Sequence, residues 1–462
     1  MVYCEPPAKG VTLVNTIITR PMPHTKKLLL HNRDQQIRHE LNLNNQDIEE
    51  CFKIEKFQKM AESPYAFYRG SNHLYWADFY NDWRINFFGG TSSTLTWING
   101  DAHIYNYGAY ANHYGEAIFC MDDFDDAIVA DYQFDLWRMA ISLLLDCRNN
   151  GVFGEIPQKK ALNTFAGAYL KEMTAHKDDD PQNEVHLTKN TATGLLHKFL
   201  KRVEKKKSRL KMLDKWTNIV DGKRVFDTQV EKLERLSKDE YTKVEKAILE
   251  YRSTLGTTFE AEEAHFEVKD IARRVKAGTG SLGSARYYIL LEGDTASADD
   301  DVILDMKAQG KPPLYSHMNK DEKSEYDENF PNEGERHARA YRALAEHPDK
   351  YLGWISMDDM TFSVKERSPF KCDFPSTDLK KNEDLFFMSD AWGRLLASRH
   401  KRASYILNSD AHEMPIAVKE MSEEKKRDFK SLVSSIALTY ADRVAQDYGC
   451  FIKMLGENEN AQ

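Results

Sequence analysis

The chain has 462 residues, of which 41% are hydrophobic and 30% charged, and its formal net charge is -9. This length and composition can bury a substantial core and suffice for two or three lobes, so a globular protein is expected. The acidic balance argues against a general nucleic-acid binder, because neutralising phosphates takes a basic face.

Neither a membrane span nor a disulfide framework is indicated. No apolar run approaches the roughly 20 residues that span a bilayer, and the first residues lack the apolar block of a secretory signal. The six cysteines form no CxxC pair, which argues against a zinc knuckle as well. We therefore predict a cytoplasmic protein without a transmembrane segment.

The first third of the chain is predicted to pass from helices to strands and back to a helix. The pattern is helical and aromatic up to about Trp83, and strand-like from Leu95 to Phe124. Asp135 then precedes apolar residues at helical spacing. This pattern predicts a buried helix with Asp135 as its N-cap.

Beyond this helix the sequence predicts a charged stretch, a sheet and a final group of helices. Residues 156–266 are predicted to be helical, with an exposed linker at 176–184. Between Val268 and Lys365 the order strand, glycine turn, strand, turn, strand, helix, strand, turn, strand predicts a small antiparallel sheet carrying one helix. The basic run 201–211 favours the solvated face of a charged helix, with contact to an anionic lipid or polyphosphate as the alternative.

The stretch NGDAHIYNYG, from Asn99 to Gly108, places an acid, an imidazole and an amide close together. Moving a phosphoryl group requires a carboxylate near the acceptor hydroxyl, and Mg²⁺ held by hard oxygen ligands next to the phosphates. The catalytic loop of protein kinases has the pattern D-x-x-x-x-N, in which the asparagine binds metal. Asp101 and Asn106 have that spacing, which predicts a catalytic base and a metal ligand.

A second acidic motif follows a predicted hairpin. Residues 107–110 and 116–121 are the expected strands, and the run MDDFDD comes at the end of the second. Asp123, with a phenylalanine after it, stands where kinases have a second metal-binding aspartate, and Asp125 adds a further carboxylate as a metal ligand. The alternative is a polar turn followed by an acidic stretch that caps a helix.

The glycine-rich stretch GTGSLG provides a third element, with strand-like residues on both sides. The residues predicted to cover the phosphates of ATP are Gly278, Thr279, Gly280, Ser281 and Gly283. A dinucleotide-binding fingerprint requires a helix after such glycines. Another strand follows here, so the dinucleotide alternative fails on context.

Lys307, in the next strand-like run, is the predicted catalytic lysine that contacts the phosphates of ATP. A surface lysine at a strand end is the alternative. A glutamate from the following helix is expected to pair with Lys307. We predict Glu335 for this part of the nucleotide site, while Glu333 and Glu328 stay open.

Two residues outside these motifs carry weaker signals. Arg69 is expected to pair with Asp78 or another carboxylate, with a phosphate contact as the alternative. His400 is expected to be a partly buried structural histidine, with an approach to the site as the alternative.

The motifs together resemble known phosphotransferases. The loop that contains His103 resembles the GDxHxxN loop of aminoglycoside and choline phosphotransferases. From about Lys56 to Phe451 the chain resembles the largely bacterial family catalogued as domain of unknown function 2252, itself similar to kinase-like phosphotransferases. Segments that carry this resemblance are KFQKMAESPYAFYRG, GDAHIYNYG, DDFDDAIVADYQFDLWRMAISL, RRVKAGTGSLGSARYYILLEG and LTYADRVAQDYGCF. The resemblance implies the same base, metal ligands and phosphate contacts as the motifs.

The order of the motifs is the reverse of that in an ordinary kinase, because Asp101 precedes Gly278 and Lys307. One fold can hold both only if it is circularly permuted, which is feasible since domain termini lie at the surface and often close together. We therefore expect an α+β, bilobal protein-kinase-like fold with circularly permuted order, in which a small antiparallel-sheet lobe accompanies a large helical lobe.

The expected domain organisation follows from this order. Residues 1–180 form the first part of the helical catalytic lobe, with the catalytic loop and the metal-binding acidic motif. Residues 181–265 are a charged helical insertion. Residues 266–370 form the sheet lobe with the glycine-rich loop and the lysine, and residues 371–462 complete the helical lobe.

The expected activity is ATP- and Mg²⁺-dependent transfer of the γ-phosphoryl group to a hydroxyl of a small-molecule or protein acceptor. AMP transfer to a protein by the same residues is one alternative. A pseudokinase that acts as a nucleotide-responsive binding module is another. An anionic ligand at the basic helix 201–211 is a further expected partner, and the acidic tail is compatible with a bacterial effector delivered to a host cell.

Overall fold

The computed structural model describes residues 32–175, 185–255, 267–275, 284–295, 297–345, 347–408 and 413–459. Its helices are α1 (Arg33–Leu43), α2 (Glu50–Met60), α3 (Pro64–Gly70), α4 (Asn72–Phe79), α5 (Gln133–Asn150), α6 (Glu155–Met173), α7 (Gly194–Lys206), α8 (Arg209–Trp216), α9 (Lys238–Tyr251), α10 (Lys320–Asn329), α11 (Glu333–Leu344), α12 (Asn382–Leu407), α13 (Glu413–Ser422) and α14 (Lys426–Glu459). Its strands are β1 (Leu95–Ile98), β2 (Tyr107–Ala111), β3 (Ala117–Met121), β4 (Ile128–Asp131), β5 (Thr217–Val220), β6 (Lys223–Phe226), β7 (Leu233–Glu234), β8 (Val268–Arg274), β9 (Arg286–Leu291), β10 (Val302–Gln309), β11 (Gly353–Met357), β12 (Met360–Glu366) and β13 (Cys372–Asp373). The fold is α+β, as predicted.

The largest sheet is antiparallel and runs in the order β11-β12-β10-β9-β8-β7. The prediction of an antiparallel sheet in this part of the chain is therefore confirmed. The prediction that it carries one helix is wrong, because α10 precedes α11 between β10 and β11. A signal for α10 was present in the sequence: Asn319 and Glu322 exchange hydrogen bonds of 3.0 and 2.7 Å with each other's backbone N–H, which is a capping box.

A short hairpin, β5–β6, lies within the stretch that the sequence predicted to be helical, so the prediction is wrong there. Its turn is Asp221-Gly222, and both residues have positive φ, 48° and 77°. An Asp-Gly pair is the sequence signal of a two-residue hairpin turn. The high charge of the flanking residues concealed that signal.

Helices from residues 209–255 cover both faces of the largest sheet. On one face, Val244 and Ile248 of α9 pack with Ile289 of β9. On the other face, Trp216 of α8 packs edge-on against Tyr288, with ring centroids 5.3 Å apart. Successive strand residues point to opposite faces, which is why neighbours in β9 serve different cores. Much of the predicted insertion is thus part of the sheet's own packing.

Segments from both ends of the chain enclose a second, larger core. α5 is buried along most of its length, α6 packs against α12, and α14 packs against α5 and α6. Gly393 of α12 allows the close approach to α6, because a Cβ there would collide with the backbone carbonyl of Phe165. Phe57 and Phe451 meet edge-on with ring centroids 5.6 Å apart.

The described residues also bear on membrane and cysteine chemistry. None of their helices is long and apolar enough to cross a bilayer. Among the described residues, Cys51, Cys120, Cys147, Cys372 and Cys450 form no disulfide.

Candidate active site

The loop between β1 and β2, residues 99–106, is anchored on α5. The backbone N–H groups of Asn99 and Gly100 donate to the Asp135 carboxylate at 2.6 and 2.9 Å. The prediction that Asp135 is the N-cap is wrong, because α5 begins at Gln133 and Asp135 lies in its first turn. Its carboxylate binds the loop amides instead of the helix's own. Two hydrogen bonds to one side chain thus fix the loop on α5.

His400 of α12 supports the same anchor. Its Nε2 atom lies 3.1 Å from the Asp135 carboxylate, and its Nδ1 atom lies 2.9 Å from the hydroxyl of Tyr169. The side chain is fully buried. His400 was expected to be only partly buried, whereas it is fully buried and holds Asp135 in position.

Gly100 forms the tight turn that leads the chain into Asp101. Its φ is +77°, and a Cβ at this position would collide with the backbone carbonyl of Asp126. Its own carbonyl accepts hydrogen bonds from Asn72 Nδ2 at 3.0 Å and from Trp76 Nε1 at 3.2 Å. Both the backbone conformation and the space require glycine here.

Asp101, the predicted base, is largely buried beside Arg138. Arg138 Nε donates to Asp101 Oδ1 at 2.6 Å. Burial raises the pKa of Asp101 to about 7; Arg138 opposes the rise and Asp126 adds to it. A carboxylate with a pKa near neutrality is well matched to accepting a proton at physiological pH.

Arg69 lies next to Asp101, but not in the predicted pairing. The prediction of an Arg69–Asp78 pair is wrong, because Asp78 binds Arg33 at 2.7 Å. Arg69 Nε instead donates to His103 Nε2 at 3.3 Å. Burial lowers the pKa of His103 well below its ordinary value, so its ring is neutral and can accept this hydrogen bond. The same Nε2 atom lies 3.8 Å from Asp101.

The predicted hairpin is confirmed by the pairing of β2 with β3, and it brings Asn106 close to Asp123. Asn106 Nδ2 donates to the backbone carbonyl of Asp101 at 2.8 Å, and Asn106 accepts at its own carbonyl from Asp122 N–H at 3.1 Å. Asn99 Nδ2 binds the carbonyl of Asp123. Within the described residues, no hydrogen bond reaches Oδ1 of Asn106 or the exposed carboxylate of Asp123. These oxygens remain available to a ligand.

A cleft of about 240 Å³ lies between the largest sheet and the acidic motif. Its charged lining residues are Asp122, Asp123, Asp125, Arg286, Asp305, Lys307, Asp349, Lys365, Glu366, Arg367 and Lys371. Strands β9, β10 and β12 supply the cations of one wall, and the motif after β3 supplies acids of the other. The cleft can therefore hold a polyanion together with a cation.

Lys307 pairs with Asp125 across this cleft. Gln309 Nε2 also donates to Asp125, at 3.0 Å, and to Ser363 Oγ at 2.9 Å. Although burial alone would raise the pKa of Asp125, Lys307 and His337 hold it well below its ordinary value. Both members of the pair are therefore ionised.

The structure does not bring Glu335 to Lys307, since Asp125 takes that place. Arg336, the next residue of α11, reaches the acidic motif instead. Its Nη2 donates to the backbone carbonyls of Asp125 at 2.7 Å and Gly310 at 3.1 Å. Glu333 binds Arg336 Nε at 2.6 Å. The helix thus holds the motif through a buried arginine that the sequence did not single out.

Two further lysines of the cleft were also missed. Lys371 binds the Asp122 carboxylate, and Lys365 Nζ lies 3.2 Å from the Asp122 carbonyl. In β12 the register places Lys365 opposite Asp305 and Ser363 opposite Lys307. The alternation of polar residues along this strand was the available signal, because alternate residues share one face of a sheet.

The glycine-rich residues Gly278, Thr279, Gly280, Ser281 and Gly283 lie outside the described residues. The basic run 201–211 covers the end of α7 and the start of α8, at the rim of the cleft. There Arg209 pairs at 2.7 Å with Glu366, a lining residue. An anionic ligand of this run stays a prediction.

The predicted metal ligands offer hard oxygens. In the part of the chain that the structure describes, no three His, Cys, Asp or Glu side chains converge as a ready-made metal cluster. Mg²⁺, however, is commonly held by one or two carboxylates together with substrate phosphates. The open carboxylate of Asp123 and Oδ1 of Asn106 fit that pattern, whereas Asp125 is engaged by Lys307 and Gln309.

Comparison with known proteins gives one result. The model of the family described as "Uncharacterized protein conserved in bacteria (DUF2252)" matches residues 48–454. Comparison with curated proteins and with solved structures gives no match.

Proposed function

The chain belongs to the DUF2252 family, and we propose that it is an ATP- and Mg²⁺-dependent phosphotransferase that moves the γ-phosphoryl group of ATP to a hydroxyl. One observation carries this proposal. Lys307 of the sheet meets Asp125 of the acidic motif although 182 positions separate them in the chain. Asn106, which immediately precedes β2, hydrogen-bonds to the backbone of Asp101. Residues that the sequence motifs nominated for phosphoryl transfer thus make contacts across distant segments of the chain.

The cations of the cleft suit the phosphates of ATP. Lys307 has three N–H donors and uses Asp125 as an acceptor, so it retains donors for phosphate oxygens. Lys365 and Lys371 add positive charge to the lining of the cleft. Asn106 and Asp123 are the residues that would hold Mg²⁺, which supplies charge neutralisation at the transferring phosphoryl group.

Asp101 is the proposed base. Its carboxylate orients the acceptor hydroxyl and takes the proton as the oxygen bonds to the γ-phosphorus and the bond from that phosphorus to ADP breaks. Arg138 and the anchored loop keep the carboxylate in one position. Positioning and electrostatics account for most of the catalysis in phosphoryl transfer, so few reacting residues are needed.

A circularly permuted kinase-like fold is the architecture we propose for this site. In support of it, the loop with Asp101 precedes the sheet with Lys307 in the chain, and helices before and after the sheet build one core. Nucleotide would occupy the cleft between sheet and helical lobe, because ligands favour such junctions.

Transfer of labelled phosphorus from ATP to an acceptor tests the proposed phosphotransferase function. The purified protein, Mg²⁺ and a bacterial cell extract are incubated with ATP labelled at either the γ or the α phosphorus. Wild type is compared with Asp101→Asn, whose folding is checked by its melting temperature. We expect transfer of the γ label by wild type only. Transfer of the α label would show AMP transfer instead, and equal labelling by the two proteins would refute the role of Asp101.

A further inference from the structure

Beside Asp101, outside the charged cleft, lies a guanidinium without an acidic partner. Arg69 is exposed at the end of α3, and no carboxylate of the described residues lies within 4 Å of it. The nearby Asp101 is already paired with Arg138. The neutral ring of His103 accepts from Arg69 Nε but adds no negative charge. A full positive charge therefore remains next to the proposed base.

This guanidinium is held in place rather than free to move. Its Nε is bound by His103, and its central carbon lies 5.4 Å from the ring centroid of Tyr105, a cation–π contact. The Tyr105 hydroxyl is fixed in turn by Asp146 at 3.1 Å and Ser376 at 2.8 Å. Two layers of contacts thus position Arg69, while both of its Nη groups have no hydrogen-bond partner in the described residues.

We propose that the acceptor is a small anion, whose carboxylate or phosphate group binds Arg69 while its hydroxyl reaches Asp101. This inference rests on the proposed phosphotransferase function. The paired Nη groups of arginine match the oxygens of either anion in a bidentate contact. A cationic acceptor such as choline is disfavoured, because Arg69 repels it.

Fractionated acceptors test the inference. A bacterial small-molecule extract is divided by anion exchange into a retained and a flow-through fraction. Each fraction is then incubated with γ-labelled ATP and one of four proteins: wild type, Arg69→Gln, Arg69→Lys or the exposed-surface control Arg427→Gln. We expect labelling in the retained fraction. There Arg69→Gln should lower it about tenfold at low extract concentration, with recovery at high concentration, because the substitution raises KM. Arg69→Lys should lower it less, and Arg427→Gln should match wild type.

The outcomes separate this inference from the function on which it rests. Phosphatase treatment of the retained fraction removes acceptors that carry a phosphate and spares those that carry a carboxylate, and either result supports the proposal. Labelling in the flow-through fraction alone, or equal labelling by Arg69→Gln and wild type, would overturn it. The inference would also be overturned if the protein binds Mg·ATP but labels no small molecule in either fraction. Absence of Mg·ATP binding would instead refute the phosphotransferase itself.

Discussion

Lys307 and Asp125 form an ion pair that joins the largest sheet to the acidic motif across 182 positions of sequence. The side chains of the two residues are only 16% and 29% exposed. Gln309 and Lys365 of the same sheet also contact the acidic motif, at the Asp125 carboxylate and the Asp122 carbonyl, so the pair is one of several contacts that join the two walls of the cleft. Its energetic contribution is open to measurement.

Replacing Lys307 by methionine should destabilise the protein. The substitution leaves Asp125 largely buried without its cation, and breaking such a pair costs about 3 kcal/mol. We expect the free energy of unfolding in urea to fall by about this amount. The double variant Lys307→Met/Asp125→Leu should regain most of the loss, since no unpaired charge remains. Equal stability of the two variants would contradict the pairing.

Gly100 should tolerate alanine less well than Gly115 does. Both residues have positive φ, +77° and +76°, but a Cβ at Gly100 meets the Asp126 carbonyl, whereas nothing lies within 4 Å of one at Gly115. Gly115→Ala should cost about 1 kcal/mol of unfolding free energy from backbone strain alone. Gly100→Ala should cost clearly more. Identical losses in chemical denaturation would argue against the packed turn.

Asp135→Asn should loosen the loop that carries Asp101. The amide offers one acceptor oxygen where the carboxylate offers two, so one of the N–H groups of Asn99 and Gly100 loses its partner. An unsatisfied buried donor costs about 1–3 kcal/mol. We expect this loss in urea unfolding, together with faster amide hydrogen exchange at both loop residues. The exposed-surface variant Asp428→Asn is the control, and unchanged exchange in Asp135→Asn would contradict the anchor.

Stability should depend on pH through Asp146. Burial raises the pKa of this carboxyl to about 6, although Ser376, Tyr105 and Asn150 oppose the rise. Its ordinary pKa is about 4, so the folded protein binds the proton more tightly than the unfolded chain. Its contribution to stability is full below about pH 4 and is lost as the pH rises toward 6, by about 2–3 kcal/mol.

Asp146→Asn removes this titration. The difference in unfolding free energy, wild type minus variant, should fall between pH 4 and pH 6.5 and be level above. The exposed-surface variant Arg427→Gln, which removes no carboxyl group, is the control. A difference for Asp146→Asn that rises with pH would reverse the assigned sign.

The residues of the candidate site that lie close together in the sequence were predictable. The spacing of Asp101 and Asn106, and the hairpin that leads to Asp123, are readable within a short stretch, and the structure places these residues together. The succession of short strand-like runs and turns predicted the sheet and the run that contains Lys307. Short-range patterns decide such features, so a single sequence carries them.

Features that depend on packing between distant elements were not predictable. Arg336 reaches the acidic motif from α11, and His400 reaches Asp135 from α12. Nothing in the local sequence of either residue indicates its partner, because the contact exists only once the helices are docked. The replacement of Glu335 by Asp125 as partner of Lys307 is of the same kind. Lys307 and Asp125 pair because the sheet and the acidic motif pack together, and the spacing of residues in the sequence does not indicate this contact.

Calorimetric titration with ATP, with and without Mg²⁺, tests the central claim most directly. Wild type, Asp123→Asn and the surface control Asp428→Asn are compared at equal concentration. We predict Mg²⁺-dependent binding of ATP by wild type and control, with the Mg²⁺ dependence lost in Asp123→Asn, because that substitution removes the open carboxylate of the cleft. Absence of ATP binding by wild type, or equally tight Mg·ATP binding by Asp123→Asn, would contradict the account.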